Sequence, residues 1–222
     1  ALGTCDRAGA LAVDWTLTRD AALAATLEVR AGCVATVSSG ERFALFGGGD
    51  GTADVVGVRV FRVAPAAQLA LARVVVRGGY DEERGGGILV EGGLELRDVM
   101  VERCYARRGA AVFAMGGGAT VVALATSFVH NLAERGAAGY ALDGAALALN
   151  RVVAESNTAD FRLAGPMRGV PLMDFVSPSL NLTDAGQCGS AFCVSGQETT
   201  LDVRNSRFAN NYGMHVTIAS NH

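Results

Sequence analysis

From Leu69 onward the apolar positions fall in one arrangement that keeps returning. Leu69, Leu71, Val74 and Val76 are apolar, and Gly79 follows ten residues after Leu69. The same template restarts at Leu94 (Leu96, Val99, Val101, Cys104) and at Val121 (Ala123, Thr126, Phe128, Asn131). It returns at Leu147 (Leu149, Val152, Ala154, Asn157) and at Leu201 (Val203, Ser206, Phe208, Asn211). The starts are 25, 27, 26 and 54 residues apart. The last gap is two periods, which predicts a degenerate copy near Met173, with Phe175, Pro178, Leu180 and Thr183 in the template places, for six copies in all.

Alternation with period two marks a short strand, and the extra step inside the template marks a bend before alternation resumes. Gly85 to Gly87, Gly92 and Gly93, Gly109, and Gly116 to Gly118 punctuate the intervals and supply further corners. A repeat of about 26 residues is too short for a propeller blade or a two-helix unit and suits one turn of a three-sided parallel β-helix. The Leu and Asn consensus of leucine-rich repeats, which share that period, is absent. One turn cannot bury its own apolar face, so stacked turns make the core. The expectation is one all-β domain over 1–222, with residues 69–222 as regular repeats. Residues 1–68 are expected to hold an N-terminal cap and the first coils, with Trp15 and Leu17 near the opening and strands around Leu27, Val34 and Val60. The recurring Asn131, Asn157 and Asn211 fit either a ladder of amides bonded up the stack or turn residues in left-handed geometry.

The pattern resembles the repeats of the polymorphic outer membrane proteins, whose marks are Gly-Gly-apolar-apolar and Phe-x-x-Asn elements. Gly86, Gly87, Ile88 and Leu89 match the first, and Phe128 to Asn131 and Phe208 to Asn211 the second, with a variant at Ala154 to Asn157. The likeness covers residues 69–211 and departs at Gly79 and Cys104, where Asn is replaced, and near Met173. It implies a pectin-lyase-like right-handed β-helix of a cell-surface, adhesion or matrix protein, and it carries no catalytic residues.

Composition narrows the function. Half the residues are apolar, with 29 Gly against 4 Pro, which favours tight bends over helices. All 19 basic residues are Arg, and the net charge is −3 without a basic cluster, so nucleic acid is not the expected partner. No run of 18 apolar residues suggests a membrane span, and residues 1–14 lack the marks of a leader. Repeats running almost to His222 suggest a chain that continues in a larger protein or packs against a neighbour.

Of the five cysteines, Cys188 and Cys193 can close a small loop, and Cys5 and Cys33 can tie the first coil; the alternative is buried thiols in a reducing compartment. None has metal-ligand spacing, and no metal or cofactor is expected. Asn181, Leu182 and Thr183 form a glycosylation sequon. Together these point to an extracellular or cell-surface location.

Three sets of residues compete for chemistry. Gly48, Gly49, Asp50, Gly51 and Thr52 read GGDGT, a nucleotide-binding signature of diacylglycerol and NAD kinases, with a strand-like Phe43 to Phe46 before it. Those families need a helix next, whereas Ala53 to Val63 reads as strand, so a Gly-rich turn is preferred. Asp81, Glu82, Glu83, Arg84, Glu102, Glu134 and Glu155 are candidates for polysaccharide cleavage, which uses converging carboxylates with or without an Arg. Their template positions do not coincide, which favours a solvated acidic loop. Tyr80, Phe113 and Tyr140 are candidate sugar platforms, although Phe113 and Tyr140 are 27 apart and fit a stack in adjacent coils. His130, His215 and His222 are scattered, and Ser195 lacks a nucleophile context. The expected function is a non-enzymatic structural or adhesive module whose partners are neighbouring subunits, matrix components or glycans. The alternative is a carbohydrate-active, lyase- or hydrolase-like, or carbohydrate-binding β-helix.

Overall fold

The structure, a computed structural model, describes residues 12–51, 56–159, 175–183, 187–188 and 190–212, with 175–183 and 187–188 described by their backbone. Its described elements are all β-strands, in a 14-stranded, a seven-stranded and a two-stranded sheet. Pairing within them is parallel except at one end.

The apolar template is the register of the large sheet. Leu69 pairs with Leu94, Leu94 with Val121, Val121 with Leu147 and Leu147 with Leu201. After the bend, Val76, Val101, Phe128, Ala154 and Phe208 align in the same way. These side chains point inward, and all but the half-buried Phe208 are buried. Thr120–Leu124 shows the alternation plainly: Val121 and Ala123 are buried, while Val122 between them is 47% exposed. Parallel partners about one period apart fit a parallel β-helix or a similar solenoid. The same sheet extends upstream, where Ala12–Leu17 pairs with Val34–Ser39, which pairs in turn with Gln68–Ala72.

The bends have a common backbone cause. Arg73, Asp98, Ala125, Arg151 and Asn205 hold φ of 54°, 54°, 49°, 54° and 50° at the same place in successive turns. A second column follows at Gly78, Arg103, His130, Ser156 and Asn210, with φ from 51° to 60°. One left-handed residue redirects a strand without a long loop. None of these residues is β-branched, the class for which that region is most costly.

The seven-stranded sheet closes the core from another side. Phe61, Ile88, Val112, Gly139 and Phe192 align on it, with Val63, Val90, Ala114, Ala141 and Val194 two residues on. Small residues leave room for large ones. Ala154 separates Phe128 from Phe208 in the large sheet, and the Phe192 ring stands edge-on to both, with centroids 5.7 and 5.6 Å away.

One expectation is overturned at the last turn. Leu147 pairs directly with Leu201, so the 54-residue gap inserts no parallel rung between them. Phe175–Thr183, the expected degenerate copy, instead runs antiparallel along the far edge of Thr200–Ala209. Its register is continuous from Phe175↔Phe208 to Thr183↔Thr200 except at Pro178, which lies opposite the left-handed Asn205. Proline has no N–H to give an inner rung, and is tolerated on an edge or at a bend. Met173 lies outside the described residues, as does Cys5.

Candidate functional site

In the second column Arg103, His130, Ser156 and Asn210 are each followed by a residue whose side chain turns into the stack, and Gly78 is followed by Gly79. Asn131, Asn157 and Asn211 are 1%, 0% and 5% exposed. Asn131 donates from Nδ2 to Asn157 Oδ1 at 2.9 Å, and Asn157 donates to Asn211 Oδ1 at 2.9 Å. The same oxygens accept the backbone N–H of Asn131 and Asn157, at 3.1 and 3.0 Å. The second amide proton of each residue goes to a carbonyl of the preceding turn: Val101, Phe128 and Ala154. Buried amides are thereby satisfied from turn to turn. The left-handed residues are their predecessors His130, Ser156 and Asn210, so the asparagines themselves are not the turn formers.

Cys104 heads this column. Its N–H donates to Asn131 Oδ1 at 3.0 Å, and its thiol donates to the Glu102 carbonyl at 3.4 Å. Burial pushes this free thiol up to about 12, against a hydrogen bond with the Gly79 backbone that pulls it down. No side chain fits at Gly79, where a Cβ would lie 2.7 Å from the Gly86 carbonyl carbon and 2.8 Å from Gly87 Cα.

The next residues of each turn face outward. Tyr80, Tyr105, Leu132, Thr158 and Tyr212 bridge in sequence, and the Tyr80 and Tyr105 rings stack at 5.1 Å. Two residues beyond Tyr105, Arg107 binds Glu83 Oε1 at 3.3 Å and Glu134 Oε1 at 3.2 Å. The two carboxylates raise the Arg107 pKa above its ordinary value through hydrogen bonds, Glu134 first. Burial raises that of Tyr105, as do Tyr80, Glu134 and Glu82, while Arg107 opposes them. This cluster of two carboxylates, one guanidinium and a tyrosine is the candidate functional site. Tyr105 is itself buried, so the cluster presents its charged groups to the surface rather than the ring.

Of the other candidate carboxylates, Asp81, Glu102 and Glu155 are held elsewhere. Asp81 pairs with Arg59 at 2.6 Å and accepts the Glu83 and Arg84 N–H groups from its Oδ1. Arg59 also donates to the Gly85 and Arg84 carbonyls; burial lowers its pKa and Asp81 opposes that shift. Glu102 pairs with Arg77, whose guanidinium also lies over the Phe46 ring. Glu155 accepts from Asn210 at 3.5 Å. Sequence position alone missed Arg107, whose signal was its place two residues after an outward tyrosine, level with Glu134 one turn on.

One amide of the GGDGT stretch, and one just before it, serve the backbone. Gly47 N–H donates to the Arg77 carbonyl at 2.9 Å and Gly49 N–H to that of Gly78 at 2.7 Å, so these two amides are committed to the next turn. After residues 52–55, which lie outside the description, residues 56–59 are irregular and Phe61–Val63 is a strand, where the kinases need a helix. Phe113 and Tyr140 do stack, at 5.3 Å, but both are buried on the outer face of the seven-stranded sheet with Leu89 and Cys193. Cys188 is the antiparallel register partner of Cys193, and Cys33 is buried. Asn181 lies on the edge strand opposite Asp202. Among the described residues no helix is long and apolar enough to cross a membrane, and no three His, Cys, Asp or Glu side chains group to hold a metal ion. Set against known protein families, curated proteins and solved structures, the chain matches none.

Proposed function

We propose that this chain is a right-handed parallel β-helix with turns of about 26 residues, working as a non-enzymatic structural or adhesive module of an extracellular or cell-surface assembly. The buried Asn131–Asn157–Asn211 chain carries this reading, because it ties three turns together through side chains as well as backbone. Such a stack is a stiff rod with a long outer surface, suited to spacing or presenting partners. The likeness to polymorphic outer membrane protein repeats agrees with it. Disulfides Cys188–Cys193 and Cys5–Cys33 and a glycan on Asn181 complete the proposal, and place the chain in an oxidising compartment. Mass mapping of the non-reduced protein tests that part: two free pairs would overturn it.

A second reading, a carbohydrate-active or carbohydrate-binding surface, is favoured by one observation, the convergence of Glu83, Arg107 and Glu134 beside Tyr105. The deciding experiment incubates the purified chain with acidic and neutral polysaccharides, and measures chain cleavage and retention on immobilised glycans and matrix proteins. Retention without cleavage is expected. Cleavage that disappears in Glu134→Gln would overturn the structural reading in favour of the enzyme.

A further inference from the structure

A solenoid ends on strands whose outer N–H and C=O groups have no next turn to meet, and such an edge pairs with whatever strand reaches it. At the late end of this molecule both edges are covered by the chain itself. Phe175–Thr183 covers Thr200–Ala209, and Gln187–Cys188 covers Phe192–Ser195. Both covering strands come from the interval that the period predicted as a further turn, and both run antiparallel where all other strand pairs run parallel. At the opposite end, among the described residues, Ala12–Leu17 pairs on one side only, with Val34–Ser39.

We propose that Phe175–Thr183 and Gln187–Cys188 are a reversal cap that blocks end-to-end association. Lifting it lets the freed edge of Thr200–Ala209 take up the Ala12–Leu17 strand of a second copy of this chain. The two ends match. Val13 and Trp15 align with the buried Ala35 and Val37, so they continue the inward column that Leu201 and Val203 end. A parallel junction of these strands would continue the core from one copy into the next, and Trp15, only half-buried, would gain a second neighbour. The contact is head-to-tail, so it forms open chains of subunits rather than a closed pair. Pro178 fits the capping role, because a proline in an edge strand interrupts the donors that a further strand would use. The inference rests on the stacked-turn reading and not on the adhesive role; the test below reads only mass, so its failure leaves that role standing.

The test is the mass of the full chain across a concentration series, by light scattering after size exclusion. In Ser179→Pro with Leu180→Pro, adjacent N–H groups point to opposite sides, so one lost donor faces Thr200–Ala209 wherever the ladder begins. This variant is expected to rise with concentration to the mass of two chains or more, and a further Trp15→Arg is expected to return it to one. A variant that keeps its β-sheet circular dichroism and stays at one chain overturns the proposal. So does association that Trp15→Arg leaves unchanged. Should the proline variant lose its β-sheet signal, the same question is put to the chain warmed to just below unfolding, with and without a Ser179→Cys, Arg204→Cys clamp across the register. Association of the unclamped chain that the clamp suppresses supports the cap; equal association, or none in either, overturns it.

Discussion

Gly139 and Phe192 are parallel register partners, and a Cβ on Gly139 would lie 2.7 Å from the Phe192 ring. The glycine is therefore a matter of volume: it leaves the space through which the ring reaches Phe128 and Phe208. Gly139→Ala is expected to lower stability by about 1–3 kcal/mol, the usual cost of overpacking a filled core. Combining it with Phe192→Leu should recover part of the loss. Urea unfolding of the three variants checks this; strictly additive losses would contradict it.

Asn157 is the middle member of its column, accepting from Asn131 and donating to Asn211 and to the Phe128 carbonyl. Asn157→Ala leaves buried partners unsatisfied on both sides, at about 1–3 kcal/mol for each stranded group. Asn211→Ala removes acceptor and donor at one end of the column and should cost less. Chemical denaturation of both variants orders them, and equal costs would refute the ladder as a coupled unit.

Cys104 supplies a pH dependence with a definite sign. Its folded pKa of about 12 lies above the ordinary 9.0. Between those values the unfolded chain has released the thiol proton and the folded chain has kept it. This contribution is therefore fully present below pH 9.0 and is lost as pH rises toward about 12. Replacing Cys104 with Ala should flatten the alkaline fall in stability by up to ~1.4 kcal/mol per pH unit. Denaturation curves across that range measure the slope. The native thiol should also resist alkylation until the protein unfolds.

Ala125 is exposed and holds φ of 49° at a bend. Ala125→Gly should raise the melting temperature, because the left-handed region costs an L-residue about 1 kcal/mol that glycine avoids. Ala125→Val should lower it. A thermal scan that ranks the three in another order would show that the bend does not depend on backbone preference.

The register of the large sheet was legible from Leu69, Leu94, Val121, Leu147 and Leu201, because inward columns of a stack must repeat with the turn. The direction of Phe175–Thr183 was not, since period-two alternation reads alike in a parallel rung and an antiparallel edge. The bends were found by the extra step, while their left-handed residues were masked by side chains such as Arg73 and Arg151, which carry no turn signal. At the candidate site, Glu83 and Glu134 were named from sequence, but Arg107, the cation joining them, came only from geometry. Spacing along the chain cannot show which outward side chains lean toward each other across a turn.

The asparagine column also has a direction. Asn131 and Asn157 each hand one proton to a carbonyl of the earlier turn and another to the amide oxygen of the later turn, and Asn211, at the end, hands one to the Ala154 carbonyl, so the donations run in the same sense throughout. A segment of one register step, from Thr120 to just before its partner Ala146, therefore carries matching connectors at both ends. Tandem duplication of that segment would lengthen the molecule by one stratum with no new chemistry at either seam, making length a quantity that inheritance can adjust in whole units.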